Sequence, residues 1–255
     1  MSDDDPFIIT WHDEVAHIEL NRPRSLNALR GRDEEALANL ITTAGDRARA
    51  VILSGAGERA FCAGADLREV GNETFASCLA TLQREASLFD SILDCPAPVI
   101  AAVRGYALGL GLVITACCDV TIAAESAMFG MPELRNGVPA GMQTQIIAEH
   151  IGLARTRWLL LSGQHISAVE AREWGLIAQV CASDADPFKS ALEFTDHIAS
   201  LPPDGVRLQK RIFCSWLRDS FDANARGNPF LAASAYTTDD PSSSVDRFLT
   251  RKSGG

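Results

Sequence analysis

The segment VRGYALGLGLVITACCDV, residues 103–120, carries the strongest structural signal in the chain. It continues the apolar run Val99–Val103, which predicts a buried strand, and leads through three glycines into a short apolar helix predicted at Gly109–Cys117. A helix that begins among glycines presents backbone N–H groups without intrahelical acceptors, together with the positive end of the helix dipole. The segment therefore predicts a strand–loop–helix unit that can hold a negatively charged oxygen. It matches a nucleotide-binding loop only loosely, because both GxGxxG and GK[ST] are absent.

Strands and helices alternate on the N-terminal side of this segment. Phe7–Trp11 and Val15–Leu20 predict a hairpin, and Ala50–Ser54 predicts a further short strand. Helices are predicted from about Asp33, as N-cap, and over Thr74–Leu93. With a strand at Val120–Ala123, this alternation predicts an α/β architecture around a buried sheet.

The pattern becomes helical after Pro139. Helices are predicted at Gly141–His150, Ala154–Leu161, Ser167–Trp174, Pro187–Leu201, Pro203–Leu217, Ser220–Tyr236 and Ser242–Thr250. We expect a core over residues 1–200 and a C-terminal helical section over residues 201–255, joined at Pro202-Pro203.

Composition and charge exclude several classes of protein. The net charge of −10 and the 7% aromatic content argue against nucleic-acid binding, which needs basic surfaces and stacking rings. The most apolar run, Val99–Ala116, is interrupted by Arg104 and three glycines, so we expect no membrane span. The start MSDDD lacks the features of a signal or transit peptide. Seven scattered cysteines without CxxC spacing predict buried free thiols and a cytoplasmic location, and the five histidines form no metal-binding pattern.

Two other segments can carry chemistry. RAFCAGADL, residues 59–67, predicts a strand, a tight loop of small residues and a helix capped by Asp66. Taken alone, it is equally an ordinary strand–helix connection. FGMPELRNGVP, residues 129–139, places the carboxylate of Glu133 between prolines in a mostly apolar loop, which would raise its pKa into the range useful for proton transfer. The alternative is a surface ion pair between Glu133 and Arg135.

Seven blocks occur in a fixed order along the chain. They are LNRP (20–23), LNAL (26–29), FCAGADL (61–67), GYALG (105–109), CD (118–119), FGMPE (129–133) and the stretch 163–177. In this order they resemble the crotonase superfamily, the enoyl-CoA hydratase/isomerase family, over most of the chain. The resemblance implies a spiral of ββα units, C-terminal helices used in trimerisation, and CoA thioesters as substrates. It implies a homotrimer or hexamer without a tightly bound cofactor, coenzyme A entering only as part of the thioester.

The resemblance also assigns roles to individual residues. The backbone N–H groups of Ala65 and Leu110 would form an oxyanion hole for a thioester enolate, each donor contributing about 3–4 kcal/mol. Glu133 would be the acid/base group. The CoA-binding residues implied are Arg24, Ala63, Ala65, Asp66, Leu67, Phe248 and Lys252. The acyl pocket would be walled by residues 68–88, whose Phe75, Leu79 and Leu82 indicate an apolar surface.

The chain departs from the hydratase pattern at one position. Hydratases of this type carry one glutamate in the helix after the glycines and another in the Pro-Glu loop; here the first aligns with Val113. At the position of the additional aspartate of dienoyl-CoA isomerases the chain has Gly141. One base and an oxyanion hole suffice for Δ3–Δ2 enoyl-CoA isomerisation, which is our leading expectation. An atypical hydratase, other CoA-thioester chemistry, and a non-catalytic member that binds CoA esters or a partner remain alternatives.

Overall fold

Two β-sheets form the centre of the chain, in a computed structural model that describes residues 5–141, 143–182, 185–224, 228–238 and 240–253. The larger sheet has the order β1-β2-β3-β5-β7-β10 and the smaller one β4-β6-β8-β9. The strands are β1 Phe7–His12, β2 Val15–Leu20, β3 Ala50–Gly55, β4 Ala60–Cys62, β5 Val99–Val103, β6 Tyr106–Leu108, β7 Val120–Ala123, β8 Met128–Gly130, β9 His165–Ser167 and β10 Gln179–Val180. The first two strands form the predicted antiparallel hairpin, with Phe7 opposite Leu20.

Helices follow the strands and then dominate the C-terminal part. They are α1 Gly31–Gly45, α2 Leu67–Val70, α3 Phe75–Leu93, α4 Leu110–Cys117, α5 Gln143–Ser162, α6 Ala168–Trp174, α7 Pro187–Ala199, α8 Pro203–Asn224, α9 Asn228–Ala233 and α10 Asp240–Ser253. Short 3₁₀ helices lie at Pro23–Ser25, Glu133–Asn136 and Ser234–Thr237. No helix among the described residues is long and apolar enough to cross a bilayer.

Three strand–strand–helix units repeat along the chain. β3 and β4 are followed by α2 and α3, β5 and β6 by α4, and β7 and β8 by a 3₁₀ turn and α5. The first strand of each unit joins the larger sheet and the second joins the smaller one, in parallel pairing within each sheet. The expected spiral of ββα units is therefore confirmed. Because the second strands are parallel, the loops that follow β4, β6 and β8 leave the small sheet at one edge.

Several element boundaries differ from the sequence expectation. Helix α1 has Arg30 as N-cap, so the prediction that Asp33 caps it was wrong. Asp33 is instead the third residue of the helix, where its carboxylate accepts the Arg30 backbone N–H at 3.0 Å and the Arg30 side chain at 2.7 Å. The Asp33 carboxylate therefore satisfies the backbone N–H of the N-cap residue and pairs with its guanidinium group.

The C-terminal helices can be compared with the prediction in the same way. The predicted break between two helices near Gly152 is confirmed, because α5 is interrupted at that glycine, whose φ of +75° and ψ of 158° are not helical. A helix over Ser220–Tyr236 was a wrong prediction, because α8 continues to Asn224 and a separate α9 starts at Asn228. The strong apolar periodicity of α8 extends through the predicted break. The division into a core of residues 1–200 and a C-terminal section stays a prediction.

The core lies between the sheets and helices α1, α3, α4 and α5. Its largest fully buried side chains include Phe61 and Phe129 from the smaller sheet and Phe89 from α3. All seven cysteines are buried and free, as predicted. Burial raises the pKa of the Cys62 thiol to about 12, so these thiols pack as small apolar groups rather than as nucleophiles.

Candidate active site

The loop after β4 is fixed by a single bridge to the segment before α1. The N–H of Leu29 donates to the Gly64 carbonyl at 2.9 Å, and the N–H of Asp66 donates to the Leu29 carbonyl at 2.8 Å. Leu29 thereby pairs with both neighbours of Ala65, in parallel fashion. In such a bridge the intervening N–H points away from the partner. No described residue accepts a hydrogen bond from Ala65 N–H, so this donor is available to a ligand.

Two polar residues of the LNRP and LNAL segments, Arg22 and Asn27, hold this loop in shape. Asn27 is 1% exposed and has a φ of +56°. Its amide donates to the carbonyls of Ala56 and Ala60 at 3.0 and 2.7 Å. Arg22 donates to Asp66 at 3.1 Å. These contacts attach both ends of the loop to one rigid turn, which pre-organises the Ala65 N–H group.

The second loop connects β6 to α4 through Gly109. Gly109 has φ +54° and ψ −123°, a conformation that favours glycine. Its N–H donates to the Gly130 carbonyl at 2.9 Å. Leu110 is the first residue of α4, so its own N–H has no acceptor within the helix and lies at the positive end of the helix dipole.

The two loops pack directly on each other. A methyl group built on Gly64 would lie 3.0 Å from the Leu108 carbonyl oxygen and 3.6 Å from the Leu110 nitrogen. The φ of Gly64 is +103°. Only glycine fits here, and its absence of a side chain brings the N–H groups of Ala65 and Leu110 to the same cavity. Two backbone N–H donors at one cavity are what an oxyanion hole requires.

Glu133 lies beside Gly109. It starts a 3₁₀ turn after β8, and a methyl group built on Gly109 would lie 2.6 Å from its Oε1. Its Oε2 is inaccessible to solvent and receives no hydrogen bond from any described residue. Burial raises the pKa of Glu133 to about 7. The side chain therefore changes protonation state near neutral pH, as a general base needs to do, and the alternative of a surface ion pair with Arg135 does not describe it.

One cavity of about 120 Å³ connects these groups. The cavity lining contains all three predicted catalytic residues and most of the predicted loop residues. It consists of Ala63, Gly64, Ala65, Leu67, Val70, Glu73, Cys78, Thr81, Leu82, Glu85, Gly109, Leu110, Pro132, Glu133, Asn136, Val138, Pro139, Ala140, Ala232 and Tyr236. The sequence expectation that Glu133, Ala65 and Leu110 belong to one site agrees with this geometry.

Other predicted residues lie outside the cavity lining. Arg24 is exposed in the 3₁₀ turn at Pro23–Ser25, and Phe248 is 42% exposed on α10. Asp66 caps α2 by accepting the Arg68 N–H at 3.2 Å, as predicted, besides pairing with Arg22. The side chain of Lys252 lies outside the described residues. The CoA-binding roles of these four residues stay predictions.

Val113 packs into the core and is fully buried, without contributing to the cavity lining. Of the acyl-pocket residues expected on α3, Leu82 lines the cavity, whereas Phe75 is exposed and Leu79 packs against a separate small cluster. The wall is also more polar than expected, because Glu85 projects from the same helix.

Sequence reasoning missed five polar cavity residues, Glu73, Thr81, Glu85, Asn136 and Tyr236. Thr81 and Tyr236 both donate hydrogen bonds to the Glu73 carboxylate, which joins the turn after α9 to α3. A signal for Glu85 was present: its spacing from Cys78, Leu82 and Phe89 places it on the buried stripe of α3. A charged residue on such a stripe indicates a buried polar site.

Comparison with known proteins agrees with this geometry. The family model described as enoyl-CoA hydratase/isomerase matches residues 10–254. The chain belongs to the enoyl-CoA hydratase/isomerase family. It is 30% identical to the short-chain-enoyl-CoA hydratase of Clostridium acetobutylicum, over 96% of this chain and 95% of that protein. It is 35% identical to the (E)-benzylidenesuccinyl-CoA hydratase of Thauera aromatica, over 81% of each.

A solved structure shows the same fold. The crystal structure of an enoyl-CoA hydratase/isomerase from Mycobacterium paratuberculosis matches with a TM-score of 0.87 and 30% identity, over 95% of this chain and 98% of that one. Members of the enoyl-CoA hydratase/isomerase family act on acyl-CoA thioesters, so an acyl-CoA enzyme of the crotonase superfamily is the level at which this chain is identified. The names of these relatives favour hydratase over isomerase. The reaction of this chain is therefore argued from its own site.

Proposed function

We propose that this protein is a Δ3–Δ2 enoyl-CoA isomerase with Glu133 as the proton carrier. The observation that carries the proposal is the single base at the oxyanion hole: Glu133 has a pKa of about 7, and Val113 stands where hydratases of the superfamily have a second glutamate. Its ionised form would remove a C2 proton from a 3-enoyl-CoA. The same carboxyl group would then return the proton at C4.

The oxyanion hole would stabilise the intermediate. As the C2 proton leaves, negative charge develops on the thioester oxygen, and the N–H groups of Ala65 and Leu110 would hold it. Removal of one such donor typically costs about 3–4 kcal/mol of transition-state stabilisation. Coenzyme A would enter only as part of the substrate, with Arg24, Asp66, Phe248 and Lys252 as candidates for its adenine and phosphate groups. The described residues contain no cluster suited to a metal ion.

The test uses purified protein and 3-hexenoyl-CoA. We expect the conjugated 2-enoyl thioester to accumulate. It is detected by its absorbance and by chromatography with mass detection, where the product is separated from the substrate but has the same mass. Glu133→Gln should abolish conversion because the amide cannot accept the proton. Exposed Glu193 on α7 provides the matched control, Glu193→Gln, which should keep full activity. Retained activity in Glu133→Gln would remove Glu133 as the base.

Hydration of a 2-enoyl-CoA is the second candidate. It is favoured by the names of the relatives and by the additional carboxyl group of Glu85 in the cavity. Adding 2-hexenoyl-CoA separates the two candidates: a hydratase removes the conjugated absorbance and adds the mass of water, whereas an isomerase leaves most of the conjugated ester unchanged.

Self-association in the manner of the superfamily, as a trimer or hexamer, is part of the proposal. Support comes from α8, which exposes Leu208, Ile212 and Trp216 at 57%, 49% and 67%. Apolar side chains exposed at helical spacing indicate a surface that another subunit covers. Light scattering on the eluting protein gives the mass directly, and a monomer would contradict this part of the proposal.

A further inference from the structure

A second carboxyl group, that of Glu85, lines the cavity across from the loops that carry the N–H donors. Glu85 is 6% exposed and comes from α3, whereas Glu133 comes from the turn after β8. Both line the same space, where Oε2 of Glu133 is buried and unpaired among the described residues. The described lining contains no Arg, Lys or His. A ligand group that enters this space therefore meets carboxyl groups and no positively charged side chain.

The surroundings of Glu85 favour its neutral form. Burial raises the pKa of Glu85 well above its ordinary value, and the negative charges of Glu34, Glu133 and Glu73 raise it further. The nearby Arg84 guanidinium lies 3.8 Å from the Glu34 carboxylate and opposes this only in part. A carboxyl group that stays protonated cannot act as a base at neutral pH, and its ionisation would place a second charge beside Glu133. Glu85 is thus suited to hydrogen bonding rather than to proton transfer.

Of the other carboxyl groups of the cavity, those of Glu73 and Glu133 already have roles, and Asn136 adds a neutral amide to the lining. The Glu73 carboxylate receives hydrogen bonds from Thr81 and Tyr236. Glu133 is the proposed base. A protonated carboxyl group offers one O–H donor and several acceptor lone pairs, so Glu85 can bind a ligand group that both donates and accepts while keeping a contact of its own.

The cavity size limits the ligand. A cavity of about 150 Å³ holds benzene, and the cavity here measures about 120 Å³. The space therefore fits a short acyl group of about four or five non-hydrogen atoms beyond the thioester carbonyl. Short chains with one hydroxyl group match both the volume and the capacity of Glu85.

We propose that the cavity selects short acyl groups that carry a neutral hydroxyl group, bound by the side chain of Glu85, over plain hydrocarbon chains of the same length. The inference rests on the proposed function only in taking this cavity as the place of the acyl group. An acyl carboxylate would meet three glutamates without a cation. An acyl ammonium group would lose its hydration on entering this buried space, and 4-aminobutyryl-CoA tests whether the carboxyl groups of the cavity compensate for that loss.

Calorimetric binding of saturated thioesters tests this without turnover. The matched pairs are 4-hydroxybutyryl-CoA against pentanoyl-CoA and 5-hydroxypentanoyl-CoA against hexanoyl-CoA, with succinyl-CoA and 4-aminobutyryl-CoA as charged analogues. We expect the hydroxyl ester of at least one pair to bind ten times more tightly than its methyl partner and than both charged esters. An apolar pocket gives the opposite order, because it gains nothing from the hydroxyl group and loses its hydration.

Variants on α3 link the preference to Glu85. Glu85→Leu should reverse the preference in favour of the methyl ester and raise kcat/KM for 3-hexenoyl-CoA, whereas the isosteric Glu85→Gln should keep the preference. Gln83→Leu makes the same kind of change at an exposed position on the same helix, outside the cavity, and should leave it unaltered. Thermal unfolding of each variant confirms that it is folded.

Four results would overturn the inference: tighter binding of the methyl ester in both pairs, a charged ester as the tightest ligand, a hydroxyl preference that survives Glu85→Leu, or no thioester binding at all. Loss of 3-hexenoyl-CoA turnover in both folded Glu85 variants would also do so, since it marks Glu85 as a proton-transfer group. Failure of the wild-type protein to isomerise, with the hydroxyl preference intact, refutes only the proposed isomerase.

Discussion

Replacing Glu133, the proposed base, by glutamine should stabilise the protein, but only at pH values at which Glu133 would be ionised. The pKa of Glu133 rises from an ordinary 4.5 to about 7 because its carboxyl group is buried. Between these values the folded protein holds a proton that the unfolded chain has lost, so the free energy of unfolding falls as pH rises through this window. At 1.36 kcal/mol for each pH unit, the full loss above pH 7 is about 3 kcal/mol. Glu133→Gln cannot ionise and avoids it.

The assay is urea unfolding of both proteins at pH 5 and pH 8. We expect Glu133→Gln to unfold with a free energy about 3 kcal/mol higher than the wild type at pH 8, and within about 1 kcal/mol of it at pH 5. Glu193→Gln, at an exposed position on α7, should change neither value by more than about 0.5 kcal/mol. Equal stability differences at the two pH values would refute the reasoning, because a pH-independent effect is one of packing and not of ionisation.

Three further predictions concern the same site. The kcat/KM of the wild type should fall about tenfold for each pH unit below 7, since only ionised Glu133 removes a proton, and a flat profile from pH 5.5 to 8 would contradict that role. Gly109→Ala should lower kcat by about 100-fold or more, because the new methyl group would lie 2.6 Å from the Glu133 Oε1 and the positive φ strains the backbone by about 1–3 kcal/mol. The control is Gly205→Ala, since nothing lies within 4 Å of a methyl group built there. Equal kinetics in the two variants would count against this geometry. Asp66→Ala should lower the free energy of unfolding by about 1–3 kcal/mol in urea, through loss of the α2 cap and of the pair with Arg22, and an unchanged stability would show that neither contact matters.

Local patterns in the sequence were sufficient where a segment interacts mainly with itself. The helix Thr74–Leu93 was predicted within a residue, because Thr74 and Ser77 form a reciprocal cap and apolar residues recur along one face. The strand at Val99–Val103 was predicted at its observed bounds, since five buried apolar residues between turns leave little choice. The second sheet is different: β6, β8 and β9 have three residues each, too short for a periodic signal, and form only because the larger sheet brings them side by side.

The same difference between local and long-range contacts separates the site residues that were predicted from those that were missed. Glu133, Ala65 and Leu110 were predicted because glycine-rich loops and a carboxylate between prolines are visible in short segments, and the family order of those segments linked them. The Glu85 carboxyl group was missed because its function depends on which face of α3 meets the cavity. The closure of that cavity by Ala232 and Tyr236 depends on the chain returning from α9, more than 90 residues after Glu133. Contacts of that sequence separation leave no local trace.

Position 113 lacks the glutamate that hydratases of the superfamily have there, and position 85 carries a glutamate that lines the cavity. An apolar Val113 in the core removes a carboxylate from α4, and Glu85 introduces a carboxyl group from α3 on another wall of the same site. The two positions are not chemically equivalent, because burial, together with the charges of Glu34, Glu133 and Glu73, raises the pKa of the carboxyl group at 85 well above its ordinary value. Of these two carboxyl groups, Glu133 has a pKa of about 7, whereas the pKa of Glu85 is raised well above its ordinary value. This difference is why we propose that the site relocates a proton, with Glu133 as the proton carrier and Glu85 as a binding group, rather than adding water.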